Sequence, residues 1–377
     1  MEARATPGCP PGVGGGHETS RQAVRAPSLN SSSLVDRVVK VIRSDRLVAP
    51  GDRVLVGISG GPDSVALAHV LSTISSSLQI ELLLVHVDHQ LRSTSAVDAE
   101  GVSQFAKQLG LPVEIVTRNV RQETAGRGWS LEDAARRVRY QAFRETAQRH
   151  GAQRLVLGHT ADDQAETVLM RLIRGAGLTG LTGIPQTRRL GDLVVIRPLL
   201  RIRRDEIMAY LQDHHLSYCE DATNQDPSFL RNRIRAQLVP LLERDYNLQI
   251  KTLCCQLAEQ CQVDGGYIQR SAARTWRRLV KSHGSSLLIR KEPFVRQPEA
   301  IQRALLRLAI QHLQGDLTGF EFRHWLEAQR LVTERPVGTV LDLPGSVQLQ
   351  RTKDHVIVRL KPLPSSTNHD ILLRKRT

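Results

Sequence analysis

Short, almost wholly apolar runs alternate with helical patterns from Leu34 onward, and few folds accommodate that alternation. The runs are Val54 to Ile58, Leu82 to Val87, Val113 to Val116, Leu155 to Leu157 and Leu193 to Ile196. Helical patterns follow them near 63 to 74, 96 to 109, 130 to 149, 161 to 174 and 203 to 215. A strand that is apolar along its whole length is buried on both faces. The sequence therefore predicts an α/β fold, a parallel sheet covered by helices on both faces. Ligands of such sheets sit at the carboxyl ends of the strands.

The first run opens directly onto Ser59-Gly60-Gly61-Pro62-Asp63-Ser64, and then onto Val65, Leu67, Ala68, Leu71 and Ile74 at helical spacing. A strand, a glycine turn and a helix N-terminus in succession are what a phosphate site requires. Gly60 and Gly61 lack a Cβ, so the backbone can approach an anion, and Ser59 and Ser64 offer hydroxyls. The free N–H groups and positive dipole end of the helix face the same point. The loop is neither a Walker A sequence nor the GxGxxG fingerprint. It carries a carboxylate, Asp63, where a Walker loop carries a lysine. Phosphate and carboxylate can share that corner only with a cation between them, which predicts Mg²⁺. A plain glycine turn would account for SGG alone, but not for strand, SGGxDS and helix together.

Two further stretches fall at carboxyl ends of strands. His86-Val87-Asp88-His89 offers polar groups that fit nucleotide contact or structural hydrogen bonding better than a metal cluster, for which a third partner at fixed spacing is lacking. Gly158-His159-Thr160-Ala161-Asp162-Asp163 leads into an amphipathic helix that carries Glu166. Asp163 and Glu166 are three apart and share one face of its first turn, where the helix dipole favours carboxylates. N-capping accounts for one of Asp162 and Asp163. It does not account for two aspartates plus Glu166 at a ligand edge, so Asp163 is assigned to metal and Glu166 to a second substrate. The glycine-rich stretch Gly175 to Gly183 is expected to be mobile, either an active-site loop or a long connection.

The 377 residues carry a net charge of +14 at pH 7, which favours a polyanionic partner. No apolar run approaches the roughly 18 residues of a membrane span. The five cysteines, Cys9, Cys219, Cys254, Cys255 and Cys261, form no CxxC pair and fit a reducing compartment rather than a disulfide scaffold or a metal site. Residues 1–33 are rich in Gly, Pro, Ser, Arg and Ala and read as a disordered extension; an organelle transit peptide, a mis-assigned start and a plain flexible tail all remain open for it. Residues 34–245 are expected to form the nucleotide-binding catalytic domain. Residues 246–362 follow as a smaller, mainly helical accessory domain with a terminal β element, and residues 363–377 as a basic tail. Helical patterns there run from Ala300 to Leu313 and from Phe320 to Val332, beside basic clusters at Arg274 to Arg278 and Arg290-Lys291.

The SGGxDS loop resembles that of the PP-loop ATP pyrophosphatases, which implies an adenine nucleotide alpha hydrolase-like fold, ATP as substrate and AMP transfer. SGGPDS, HVDHQLR, EDAARRVRY, GHTADDQAETVLMRLIRGAGLTGLTGI, IRPLL and DATNQDPSFLRNRIR resemble, in order and spacing, the blocks of the tRNA(Ile)-lysidine synthetases over about residues 35 to 245. That likeness implies a ligase that adenylates the C2 oxygen of the wobble cytidine in the CAU anticodon of tRNA(Ile) and then joins free L-lysine there. By the same likeness Ser59, Gly60, Gly61, Pro62, Asp63, Ser64, His86, Asp88 and His159 hold the nucleotide, and Asp63 and Asp163 hold Mg²⁺. Asp163, Glu166, Arg139 and Arg231 are the implied catalytic set, and Arg136 and Arg137 are surface residues. Longer relatives carry a further C-terminal domain that helps select tRNA, so the short form is implied here. A cytoplasmic location is expected, or a plastid one if residues 1–33 are a transit peptide; a homodimer is one assembly the likeness leaves open. A tRNA thiolase would need active-site cysteines. A non-enzymatic RNA-binding module would leave SGGxDS and DDQAET unexplained.

Overall fold

The computed structural model describes residues 33–361 apart from 92–94, 126–127, 220–225 and 227. The expectations for the N-terminal extension, Cys9, Arg92, most of DATNQDP and the basic tail lie outside the described residues. Helix α1 (Leu34–Ser44) begins at a capping box between Ser33 and Asp36. Strand β1 (Arg53–Gly57) then turns through SGGPDS into α2 (Pro62–Leu78) and returns as β2 (Glu81–Asp88). There follow α3 (Ser95–Leu109), β3 (Val113–Thr117), α4 (Val120–Glu123), α5 (Leu131–His150) and β4 (Arg154–Val156). Then come α6 (Ala161–Ile173), α7 (Leu178–Leu181), β5 (Thr187–Leu190), β6 (Leu193–Ile196) and α8 (Arg204–Asp213).

The sheet order is β3-β2-β1-β4-β6-β5. The five runs read from the sequence are all strands and mutually parallel. β5, a strand not among the five runs, is added at the edge and pairs antiparallel with β6. Its Thr-Arg-Arg-Leu sequence is mostly exposed, and charge on an edge strand blunts edge-to-edge pairing. Both faces are covered. Val54 and Val56 pack with α1, α2, α3 and α8 in one core, while Leu55 between them packs with Tyr140, Phe143 and Ala147 of α5 in another. Leu155, fully buried in β4, belongs to that second core. Leu155→Ala should cost about 2–5 kcal/mol, read as a fall in the urea midpoint with an unchanged slope.

Chain order decides where the ligand edge lies. From β1 the sheet grows one way through β2 and β3 and the other way from β4, so the strand order reverses between β1 and β4. The loops leaving these two strands, SGGPDS and GHTADD, face one another across that crevice.

The remainder comprises α9 (Leu230–Arg233), a π-helical turn (Ile234–Leu238), α10 (Val239–Asp245), α11 (Ile250–Leu279), β7 (Val280–His283) and β8 (Ser286–Arg290). It continues through α12 (Lys291–Val295), α13 (Glu299–Gln314), α14 (Phe322–Thr333), β9 (Val340–Asp342), β10 (Val347–Arg351) and β11 (His355–Leu360). The expected terminal β element is larger than read. β7 and β8 join β9, β10 and β11 in one antiparallel sheet of order β7-β8-β11-β10-β9. Phe294, Leu305, Ile310 and Leu331 fill its core. Helix α11 belongs to both units, with Cys254 and Ala258 packing on Ala165 and Leu169 of α6, and Leu279 lying in the core of the second unit.

Candidate active site at the strand carboxyl ends

The SGGPDS loop is built to leave donors free. Gly60 has φ +84°, a region that glycine enters without strain. Ser64 Oγ donates to the Gly61 carbonyl at 2.8 Å and accepts from the Ser59 N–H at 3.1 Å, so the hydroxyls fix the loop's shape. The N-cap of α2 is Gly61 with Pro62 at the first helical position, and no side chain caps the helix. The start of α2 is thus open to an anion. The backbone N–H of Cys219 donates to the Gly60 carbonyl at 2.9 Å and lays the chain after α8 across the loop.

Asp63 follows in the first turn. Burial pushes its carboxyl up to about 6, against the opposing charge of Arg204, and the charges of Asp163 and Asp162 are felt there too. Its Oδ2 pairs with Arg204 Nη1 at 2.9 Å, while its Oδ1 is buried with no hydrogen-bond partner.

Helix α6 starts at Thr160, whose hydroxyl accepts from the Asp163 N–H, while Asp163 Oδ2 accepts from the Thr160 N–H at 2.9 Å. Asp163 therefore closes a capping box with one oxygen and presents the other to the site. The partition between the two aspartates is now visible. Asp162 Oδ2 accepts from the Arg204 N–H at 2.8 Å and its Oδ1 pairs with Lys251 Nζ at 3.1 Å, tying the helix to α8 and α11.

Asp163 Oδ1 and both oxygens of Glu166 are held by arginines. Arg231 reaches Glu166 Oε2 at 2.9 Å and Asp163 Oδ1 at 2.8 Å. Arg235 reaches Glu166 Oε1 at 2.5 Å and Oε2 at 3.0 Å, and Asp163 Oδ1 at 3.5 Å. Glu166 is buried, and Arg231, the Thr160 N–H and Arg235 hold the Asp163 carboxyl below the usual carboxylate range in spite of its burial. Both arginines project from α9 and the π-helical turn, a distortion often found at functional sites.

The other residues expected from the sequence gather around this centre. His86 is buried, with Nδ1 2.9 Å from the Ile58 carbonyl, so its tautomer is set with Nδ1 as donor. Asp88 accepts from the Gln90 N–H at 2.9 Å and shapes the turn after β2. Burial pushes the His159 imidazole down to about 3, against the opposing charge of Asp163 and with Arg197, Arg139 and Arg231 adding to the effect. It is neutral near pH 7, and its Nδ1 has no hydrogen-bond partner. Arg139, half-buried on α5, lies close enough for its charge to be felt at His89 and His159, and it makes no ion pair among the described residues. Arg204, Arg235 and Lys251 are site residues that the sequence reading missed. Arg235 had a signal, since it stands four residues from Arg231 on the same helical face.

The glycine-rich stretch is pinned rather than loose. Gln164 bonds both backbone groups of Ile184, and Arg171 Nη1 donates to the Gly180 and Gly183 carbonyls at 2.7 Å each. From the second unit, Gln262 donates to the Thr182 carbonyl at 2.7 Å and Arg307 to Thr179 Oγ1 at 3.0 Å.

A magnesium ion is tested by the donors present. The described residues hold no group of three or more His, Cys, Asp or Glu side chains arranged around a metal. An orphaned, buried oxygen on Asp63, with the charge of Asp163 felt beside it, nevertheless suits an ion that takes one or two carboxylates and completes its shell with phosphate oxygens and water. No helix among the described residues is long and apolar enough to cross a membrane.

The PP-loop domain family matches residues 31–242. Over 323 residues the chain is 40% identical to the tRNA(Ile)-lysidine synthase of Symbiobacterium thermophilum, covering 84% of this chain and 67% of that one. The chain belongs to the tRNA(Ile)-lysidine synthase family. A second lysidine synthase, from Nostoc sp., is 35% identical over 335 residues, which span 85% of this chain and 95% of the relative. Beyond the lysidine synthase family, a solved U34-tRNA thiolase, NcsA from Methanococcus maripaludis with its [4Fe-4S] cluster, superposes with a TM-score of 0.51 at 19% identity. It covers 60% of this chain and 77% of its own, and shares the fold.

Proposed function

We propose that the protein joins free L-lysine to C2 of the wobble cytidine of CAU-anticodon tRNA(Ile), using ATP and releasing AMP and pyrophosphate. The observation that carries this reading is the placement of Asp163 and Glu166 on one face of the first two turns of α6, across the crevice from the phosphate loop and joined by Arg231. ATP would lie with its terminal phosphates on the loop and the open end of α2, with His86, Asp88 and His159 around the nucleotide. Asp63 and Asp163 would hold Mg²⁺, which shields charge as pyrophosphate departs.

The cytosine O2 is a poor leaving group. Its attack on the α-phosphorus forms a P–O bond and expels pyrophosphate, so that O2 can leave C2 as part of AMP when the lysine ε-nitrogen bonds there. That amine has an unperturbed pKa of about 10.4, so only roughly one in a few thousand is neutral at pH 7. Glu166 pairs with the ammonium and then takes its proton, and Arg139 and Arg231 steady the charge on the adenylated base. Residues 34–245 act on this reading as the catalytic domain and 246–362 as the part that grips the tRNA, consistent with the net charge of +14. Such a protein works in the cytoplasm.

The test is incubation with ATP, Mg²⁺, labelled lysine and CAU-anticodon tRNA. Wild type should transfer label to the tRNA, and Asp163→Ala should slow the transfer by roughly 10² or more, the scale of losing one charge-stabilising group. No lysine transfer by the wild type, or transfer unchanged in the variant, would overturn the assignment.

A further inference from the structure

Every carboxylate assigned to a cationic ligand already holds a guanidinium. Arg204 sits on Asp63, and Arg235 sits on Glu166 and Asp163 beside Arg231. The carboxylates are more enclosed than these arginines, Asp63 and Asp163 being half-buried and Glu166 buried. The Glu166 side chain is 5% exposed, against 42% for Arg204 and 37% for Arg235. Both arginines are rooted at the carboxyl edge, one in the first residue of α8 and the other in the π-helical turn. Arg204 Nη1 lies 2.9 Å from Asp63 Oδ2 in the phosphate loop, and Arg235 Nη2 lies 3.5 Å from Asp163 Oδ1 on the facing loop.

We infer that Arg204 and Arg235 are phosphate ligands parked on the site's carboxylates, holding the places of the cations until nucleotide enters. An enclosed carboxylate without a partner is costly, so with no metal or amine present an internal cation is the stable occupant. A polyphosphate on the loop offers the guanidiniums the better partner, because their planar fork matches phosphate oxygens bidentately. The exchange keeps every charge paired. As the arginines move to phosphate, Asp63 is released for Mg²⁺, and Glu166 keeps Arg231 on Oε2 while its Oε1 is freed for an ammonium. The inference deepens the proposed function and rests on its placing the ATP phosphates at Ser59 to Ser64.

Inorganic pyrophosphate and Mn²⁺, each added to nucleotide-free protein, test it without lysine or tRNA. Calorimetry should show pyrophosphate binding weakened about tenfold in Arg204→Gln and in Arg235→Gln, the scale of one lost charge-assisted contact. Electron paramagnetic resonance should show Mn²⁺ binding tightened severalfold in Arg204→Gln, because Asp63 is vacated. A role confined to holding the fold would weaken both probes together. Pyrophosphate affinity unchanged in both variants, or Mn²⁺ and pyrophosphate affinities falling together, would overturn the inference. A protein that gives the expected binding yet makes no lysidine would sink the functional reading alone.

Discussion

Glu166→Gln should reduce lysine transfer by roughly 10³, within the range ascribed to a positioned general base, while pyrophosphate release from ATP in the presence of tRNA continues near the wild-type rate. The amide keeps the shape of the side chain but loses both the charge that captures an ammonium and the basicity that accepts its proton. Two measurements on one preparation separate the steps: label in tRNA for the second, pyrophosphate for the first. Equal losses in both would move Glu166 from amine activation to nucleotide activation. Arg231 and Arg235 keep Asp163 as a partner in the variant, so its melting temperature should fall by only a few degrees, as for the loss of one charged hydrogen-bond acceptor.

Gly158→Val should cripple nucleotide binding without removing a single polar side chain. A Cβ at Gly158 would stand 3.0 Å from the carbonyl oxygen of Asp63, 3.1 Å from its carbon and 3.3 Å from the Ser64 nitrogen. These are all backbone atoms, which cannot rotate aside, so the end of β4 and the start of α2 must part. Overpacking of this kind costs about 1–3 kcal/mol of stability. It also spreads Asp63 from Asp163, and the ATP dissociation constant should rise by more than about tenfold, as for loss of one charged contact. Gly177→Ala serves as the control, since nothing lies within 4 Å of a Cβ there. Wild-type ATP binding in Gly158→Val would show that the two loops tolerate a wider approach.

How much of this was legible in the sequence follows from how local each signal is. β1, β2, β4 and β6 were legible because burial on both faces writes a nearly continuous apolar run, β3 because its half-buried Val113, Ile115 and Val116 still read as a strand, and the phosphate loop because strand, glycines and helix are adjacent in the chain. β5 was missed because Arg188 and Arg189 on an exposed edge read as loop. The hairpin of β7 and β8 was missed because the basic end of α11 runs straight into it, with only Gly284 and Ser285 forming the turn. Asp163 and Glu166 were assigned correctly to one helical face, yet their occupancy by Arg231 and Arg235 could not be read. Those arginines lie 65 or more positions away, and no periodicity links segments that meet only in space. The glycine-rich stretch misled for the opposite reason. Composition reports what a backbone is free to do, and Gln164, Arg171, Gln262 and Arg307 decide what it does.

Helix α11 runs unbroken for 30 residues, about 45 Å at 1.5 Å per residue. Lys251 and Cys255 near its beginning touch Asp162 and the Ala161 carbonyl, the opening residues of α6, while its last turns are embedded in the antiparallel unit. So stiff a beam behaves as a mechanical lever. A tilt of about one degree about one end displaces the other by about 0.8 Å over that length. The opening residues of α6 and the distant sheet are thus fixed to the two ends of one rod, and their separation is set by its length.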